Sequence, residues 1–272
     1  MMTARGFTLA LMSLLAVTGT ALASPNSQVW IPSTDTQPFK TAHLEFDNYF
    51  RSSGDKTSNG PGSRDPNTFD LGMTFGVLPF KKIQMEVGFD YVVTGNDPND
   101  QHPWSGNIKL ATPEDSWFKF SPALAVGLYN ARPVKDIGIR DAPSVTSGQN
   151  IIYGLVAKTV PALGALPSLG RFSAGYYRGS RRALVDDPDP ARAKPDNHGV
   201  LLSGDRIISE ISDKLWFGVD YQGGDNAAGA FNVGFSWSFT PNVNLLLGYD
   251  VYNKKSVAGS VTFTTQVTIT FP

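Results

Sequence analysis

The sequence predicts an all-β chain, a closed antiparallel transmembrane β-barrel of about twelve strands after a cleaved signal peptide. Three observations predict it. Period-2 alternation of apolar and polar residues recurs from residue 40 to the C-terminus. The links between alternating segments are by turns short and long. The composition suits a wall with two faces, with 17% charged residues against the roughly 25% of globular domains, 11% aromatic residues and 27 Gly. The same composition excludes other classes. There is no Cys, so no disulfide scaffold, thiolate zinc site or Cys nucleophile. Lys+Arg 23 against Asp+Glu 24 leaves a net charge of −1, without the basic excess of a nucleic-acid binder.

The first element is a targeting segment. Arg5 is the only charge before Asp35, and an apolar core over 9–17 leads to Ala21-Leu22-Ala23. That core is too short to span ~30 Å of hydrocarbon, and small residues at 21 and 23 suit a signal peptidase. Cleavage after Ala23 therefore leaves a mature chain starting at Ser24, with 24–39 as a periplasmic N-terminal segment and 40–272 as the barrel.

The strands follow. No later apolar run exceeds about seven residues, well short of the ~20 that a membrane-spanning helix needs. Alternation places strands over 40–51, 67–78, 82–94, 104–111, 121–131, 150–160, 171–179, 199–209, 214–223, 228–240, 243–253 and 260–271. In the tenth, Phe231, Val233, Phe235, Trp237 and Phe239 oppose Asn232, Gly234, Ser236 and Ser238. In the last, Val261, Phe263, Thr265, Val267, Ile269 and Phe271 oppose Thr262, Thr264, Gln266, Thr268 and Thr270. A soluble sandwich would carry Lys and Glu on its wet faces. Here the apolar face is bulky along nearly the whole strand, and the other face is small and polar.

The even-numbered links include the short 79–81, 210–213 and 241–242, with two longer ones at 112–120 and 161–170, whereas the odd-numbered 52–66, 132–149 and 180–198 are long. Short periplasmic turns and long outside loops give this rhythm when both ends of the barrel lie in the periplasm. Aromatic residues at strand ends (Tyr49, Phe50, Phe80, Tyr91, Tyr129, Phe239, Tyr249, Tyr252) are expected to form interfacial girdles.

With these features the chain resembles small Gram-negative outer-membrane porin-like proteins, over residues 40–272. The final strand, Val261 to Phe271, carries the resemblance, with Phe271 penultimate before Pro272 rather than last. The resemblance implies an outer-membrane location, contact with its lipid, an insertion machinery reading the C-terminal strand, and a channel for passive diffusion of small solutes. It implies neither a cofactor nor a nucleic-acid partner.

The lumen face of this register is acidic. Glu45, Asp47, Asp70, Glu86, Asp90, Asp220 and Asp250 fall on it, with the bases Lys109 and Lys158 and one of Arg178 or Arg206. Acidic rings favour cations, so these positions are the candidate selectivity residues. Alternatively the charges pair with one another, or with Arg181 and Arg182 of a loop, and merely close the barrel. The lumen-assigned glycines Gly72, Gly76, Gly88, Gly154, Gly218, Gly234 and Gly248 leave room for solute or relieve strand curvature.

Two other functions compete with a channel. One is a narrow or plugged barrel acting through its outside loops. The other is a hydrolase, for which His43, two residues before Glu45, is the candidate base. No Ser or Thr follows His43 at the second position, and His102 and His198 fall in loops, so no catalytic or metal residue is assigned. Asp186, Asp187 and Asp189 have the composition of a calcium loop but lack the Gly-bearing ligand spacing, which favours a solvated loop.

Overall fold

The computed structural model describes residues 27–52, 67–94, 103–132, 148–162, 164, 167–189 and 191–272. The expected signal peptide and cleavage site, and His102, lie outside them. Twelve strands form: β1 Ala42–Arg51, β2 Thr68–Gly76, β3 Gln84–Thr94, β4 Trp104–Thr112, β5 Ala123–Ala131, β6 Ile151–Val160, β7 Gly170–Arg178, β8 His198–Ile207, β9 Leu215–Gln222, β10 Ala230–Thr240, β11 Val243–Tyr252 and β12 Thr262–Phe271. Their ends lie within two residues of the positions that alternation predicts. Each pairs with its neighbours in sequence, and β1 pairs antiparallel with β12 from Ala42↔Phe271 to Arg51↔Thr262. The sheet is thus closed and no strand edge is left unpaired, which a bilayer core demands of any sheet.

Along β10, Phe231, Phe235, Trp237 and Phe239 are between 40% and 56% exposed, while Asn232 and Ser236 on the other face are buried. The same outward apolar band continues through Phe46, Leu71, Phe89, Leu124, Val156, Leu202 and Leu247. Such a closed wall, apolar outside and polar inside, is a transmembrane barrel of the outer-membrane type. The two-residue turn between Thr240 and Val243 lies at the end where both termini of the barrel meet, termed the turn end below. The longest links, β1–β2, β5–β6 and β7–β8, join strand ends at the opposite, loop end.

Three strands depart from the expected faces. In β6 the inward residues are Ile151, Tyr153, Leu155 and Ala157, so Gly154 and Lys158 share the outward face with Ile152 and Val156. Lys158 pairs there with Glu114 at 2.8 Å and Asp115 at 3.3 Å, in the turn between β4 and β5. In β7 and β8 neither Arg178 nor Arg206 faces the lumen; Arg178 is exposed and Arg206 pairs with Glu210. Arg171 and Asp205 face it instead. The physical reason is that this side of the lumen holds a packed apolar core. Ile151, Tyr153, Leu155, Tyr177 and Leu201 meet Ile31 and Leu184 inside the barrel. Where both faces of a strand are apolar, polarity no longer reports which face is inside.

Three aromatics expected in the girdles also point inward. Tyr49 and Tyr252 pack on Trp30, and Tyr129 packs on Tyr153. Phe50, Phe80, Phe239 and Tyr249 do lie on the exterior.

Candidate functional site: a lumen divided by a hairpin

Upstream of β1 the chain does not stay in the periplasm. Residues 27–37 run inside the barrel, with Gln28, Val29, Ile31, Ser33, Thr34 and Gln37 buried. This corrects the expectation for the described part of segment 24–39. Its sequence, Ser-Gln-Val-Trp-Ile-Pro, makes a tight hairpin: Ser27 bridges Pro32, and the Gln28 N–H donates to the Ile31 carbonyl at 2.7 Å.

The segment is fastened on both sides of the lumen, to β7–β12 along the hairpin and to β3 and β4 at residues 35–37. Asp220 accepts the Trp30 N–H at 2.8 Å and the Ile31 N–H at 3.4 Å on Oδ2, and Asn232 Nδ2 at 2.6 Å on Oδ1. Gln266 Nε2 donates to the Val29 carbonyl at 2.7 Å, and the Trp30 indole N–H donates to the Ala228 carbonyl at 3.0 Å. Nearer the turn end, Arg171 bridges Asp35 at 2.6 Å and Asp205 at 3.1 Å, and Gln28 Nε2 also donates to Asp205 at 3.0 Å. Glu86 accepts the Gln37 N–H at 2.7 Å and pairs with Lys109 at 2.9 Å. Lys109 in turn donates to the Asp35 carbonyl at 2.5 Å. Bonds to charged groups are each worth roughly 1.5–3 kcal/mol, so this set offsets much of the cost of ordering the segment.

Two of the lumen glycines seat the hairpin. A Cβ on Gly234 or Gly248 would stand 3.0 Å from a Val29 methyl, so β10 and β11 are hollowed where the hairpin presses. At Gly76 a Cβ would strike the Pro38 and Gln37 carbonyls as the segment leaves the barrel. Room for solute and strand curvature, the two expected roles, do not describe these three positions.

The opposite side of the hairpin is open. Between it and strands β1–β6 lies a cavity of about 310 Å³, lined by Trp30, Tyr49, Tyr129, Tyr153, the five acids Glu45, Asp47, Asp70, Glu86 and Asp90, and the two bases Arg51 and Lys109. Asp47 stands directly across from Asp70 in the β1–β2 register, and Glu45 and Asp90 flank Gly72 from either side. A Cβ on Gly72 would lie 2.8 Å from an Asp90 carboxyl oxygen, so the glycine keeps that part of the wall clear. Asp47 receives the Tyr49 hydroxyl at 3.3 Å, and Asp90 receives Asn107 Nδ2 at 2.9 Å. Asp47 Oδ1 and Asp70 Oδ1 are buried with no hydrogen-bond partner among the described residues.

The eight candidate selectivity residues thus all face inward but divide by what they touch. Glu45, Asp47, Asp70 and Asp90 form the open acidic wall. Glu86, Lys109 and Asp220 hold the hairpin. Asp250 is fully buried, accepts the Thr262 hydroxyl at 2.7 Å, and does not line the cavity. Trp30, Asp35, Arg171 and Asp205, which complete the site, are not among the residues that alternation singles out. A tryptophan and an aspartate in a short polar stretch just before the first strand are the one signal that could have pointed to them.

No family model matches the chain, and no curated protein matches it in sequence. Among solved structures it is similar to an outer-membrane channel from Pseudomonas putida F1, at 14% identity and TM-score 0.47, over 92% of this chain and 100% of that one. It is also similar to the NanC porin, at 11% identity and TM-score 0.44 over 84% and 99%. The outer membrane phospholipase A from Escherichia coli is a further neighbour, at 12% identity and TM-score 0.36 over 94% and 99%.

His43, the candidate base, is buried on the lumen face. Its Nδ1 lies 2.9 Å from Gln37 Nε2, and its Nε2 stands 3.8 Å from Glu45, beyond hydrogen-bond reach. It therefore braces the foot of the hairpin. At the loop end, the segment between β7 and β8 folds into the mouth, burying Ala183, Leu184 and Val185. Its acids serve that loop. Asp186 accepts the Lys194 N–H at 2.7 Å, Asp187 accepts the Asp189 N–H at 2.9 Å, and Arg192 lies 3.3 Å from Asp189. The Asp189 N–H and Arg192 hold the Asp187 carboxyl below its ordinary range. Arg181 and Arg182 remain exposed.

Proposed function

We propose that the chain is a narrow outer-membrane channel for small solutes that favours cations, with its own N-terminal hairpin occupying part of the bore. The observation that carries this reading is the acidic cavity left between the hairpin and β1–β6. Twelve strands enclose more space than eight, which side chains alone can fill, and less than the water-filled sixteen-stranded porins. The hairpin and the inward loop fill the β7–β12 side, while residues 35–37 cross to β1, β3 and β4 near the turn end. On the open side Glu45, Asp47, Asp70 and Asp90 concentrate cations, because low-dielectric walls screen charge less than bulk water does. The mechanism is diffusion, with selectivity set by these carboxylates.

Reversal potential in planar bilayers across a KCl gradient tests it. Cation selectivity is expected for the wild-type chain, and it falls in Asp47→Asn/Asp70→Asn. The preference weakens as salt rises from 0.1 M to 1 M, where the Debye length drops from ~10 Å to ~3 Å. Anion selectivity, or indifference to the double substitution, overturns the reading. A second reading is favoured by the hairpin itself: a plugged barrel that acts through its outside loops. A folded barrel that conducts only after residues 27–37 are deleted supports that alternative.

A further inference from the structure

We infer that the acidic half of the lumen is a binding site for a small organic ammonium compound, with carboxylates taking the charged head and Trp30 and Tyr49 covering the apolar body. The inference deepens the channel reading and rests on it for the route by which the ligand arrives.

The charge arrangement calls for a guest. Asp47 and Asp70 face each other on neighbouring strands, where like charges directly opposite destabilise a sheet. Asp47 is 94% buried, being 6% exposed, and lines the cavity. One oxygen of each carboxyl has no hydrogen-bond partner among the described residues. Neither these two acids nor Asp90 enters an ion pair among the described residues. Each such buried, unsatisfied group carries a cost that an ammonium donating two or three N–H bonds would offset.

The spacing selects an extended cation over a metal ion. The carboxyls are spread over three strands ~4.8 Å apart, and Glu45 lies a further two residues along β1, ~6.8 Å from Asp47. Among the described residues no three acidic or histidine groups are gathered so as to hold a metal ion. Organic bodies find complementary surface beside the acids. The Trp30 and Tyr49 rings meet edge to face at 5.4 Å, and both border the cavity. Aromatic faces attract ammonium groups and pack alkyl chains. A volume of about 310 Å³ lies at the small end of ligand pockets and suits an alkyl mono- or diamine.

The test is isothermal titration calorimetry of the full mature chain, refolded in detergent and verified by its heat-sensitive migration on gels. The probe is 1,4-diaminobutane in 0.1 M KCl, with 1,4-butanediol as the uncharged comparison. Saturable binding of the diamine, none of the diol, and an affinity at least tenfold weaker in Asp47→Asn/Asp70→Asn are expected. Tyr49→Leu, which keeps the carboxylates, should weaken binding severalfold. The absence of saturable diamine binding by the folded wild-type barrel overturns the inference, as does equal binding of diamine and diol. Undiminished affinity in a folded double variant overturns it as well. Conductance is read separately in bilayers. A barrel that binds the diamine but passes no current refutes the channel and leaves the site standing. One that conducts cations without saturable binding does the reverse.

Discussion

The two sides of this lumen carry the same kind of residue to opposite ends. On the β7–β12 side Asp205 and Asp220 are each held by several donors, from Arg171, Gln28, Trp216, Asn232 and the hairpin backbone. On the β1–β3 side Asp47 and Asp70 face one another across a cavity, each with an oxygen left without a partner. A carboxylate inside a barrel is thus not by itself a selectivity element. What decides its role is whether a donor from within the chain has reached it. Asp220 is a clamp because Trp30 and Ile31 present their N–H groups to it. Asp70 lines the cavity, and among the described residues no hairpin donor reaches it.

The largest test of this contrast removes the clamp's partner. Deleting residues 27–37 should raise single-channel conductance severalfold and leave a folded barrel, since every strand keeps both its neighbours. Unchanged conductance would place the permeation path wholly in the acidic half. Next in size is a test of the outer wall. Phe235→Arg puts a charge on the lipid face at a cost of about 2–4 kcal/mol near the bilayer midplane. It should lower the urea midpoint of the barrel in vesicles. Thr68→Arg, on the cavity wall, should leave that midpoint nearly unchanged, its unfolding free energy moving by about 0.5 kcal/mol or less. Equal loss from both would break the assignment of faces.

A smaller effect is expected at the hollow under the hairpin. Gly248→Val would collide with Val29 and Thr264, costing about 1–3 kcal/mol of packing and loosening the hairpin. Larger current fluctuations than in the wild-type barrel are the measurement; a quiet channel would show the hairpin held without that hollow. The smallest effect sharpens the contrast between acids. Glu86→Gln should alter ion selectivity less than Asp70→Asn, because Lys109 already neutralises Glu86 at 2.9 Å. Reversal potentials that fall equally in both would mean that pairing does not silence a lumen carboxylate.

Much of the architecture follows from sequence alone. Alternation marks each strand because a pleated backbone sends successive side chains to opposite faces, and lipid outside with water inside makes those faces chemically distinct. The rule is local, so it needs no knowledge of the fold, and Phe231 through Phe239 state it on their own. It also brought the eight candidate residues, from Glu45 to Asp250, to the inner face. It failed at β6, where Ile151, Tyr153 and Leu155 are apolar on the inside too. It was silent about residues 27–37, which alternate in no period and pair with residues up to 237 positions away. Closure of the sheet brings Asp205, Asp220 and Gln266 around one segment and leaves Asp47 and Asp70 facing a cavity. Which carboxylates acquire partners depends on that long-range convergence, and only the tertiary structure decides it.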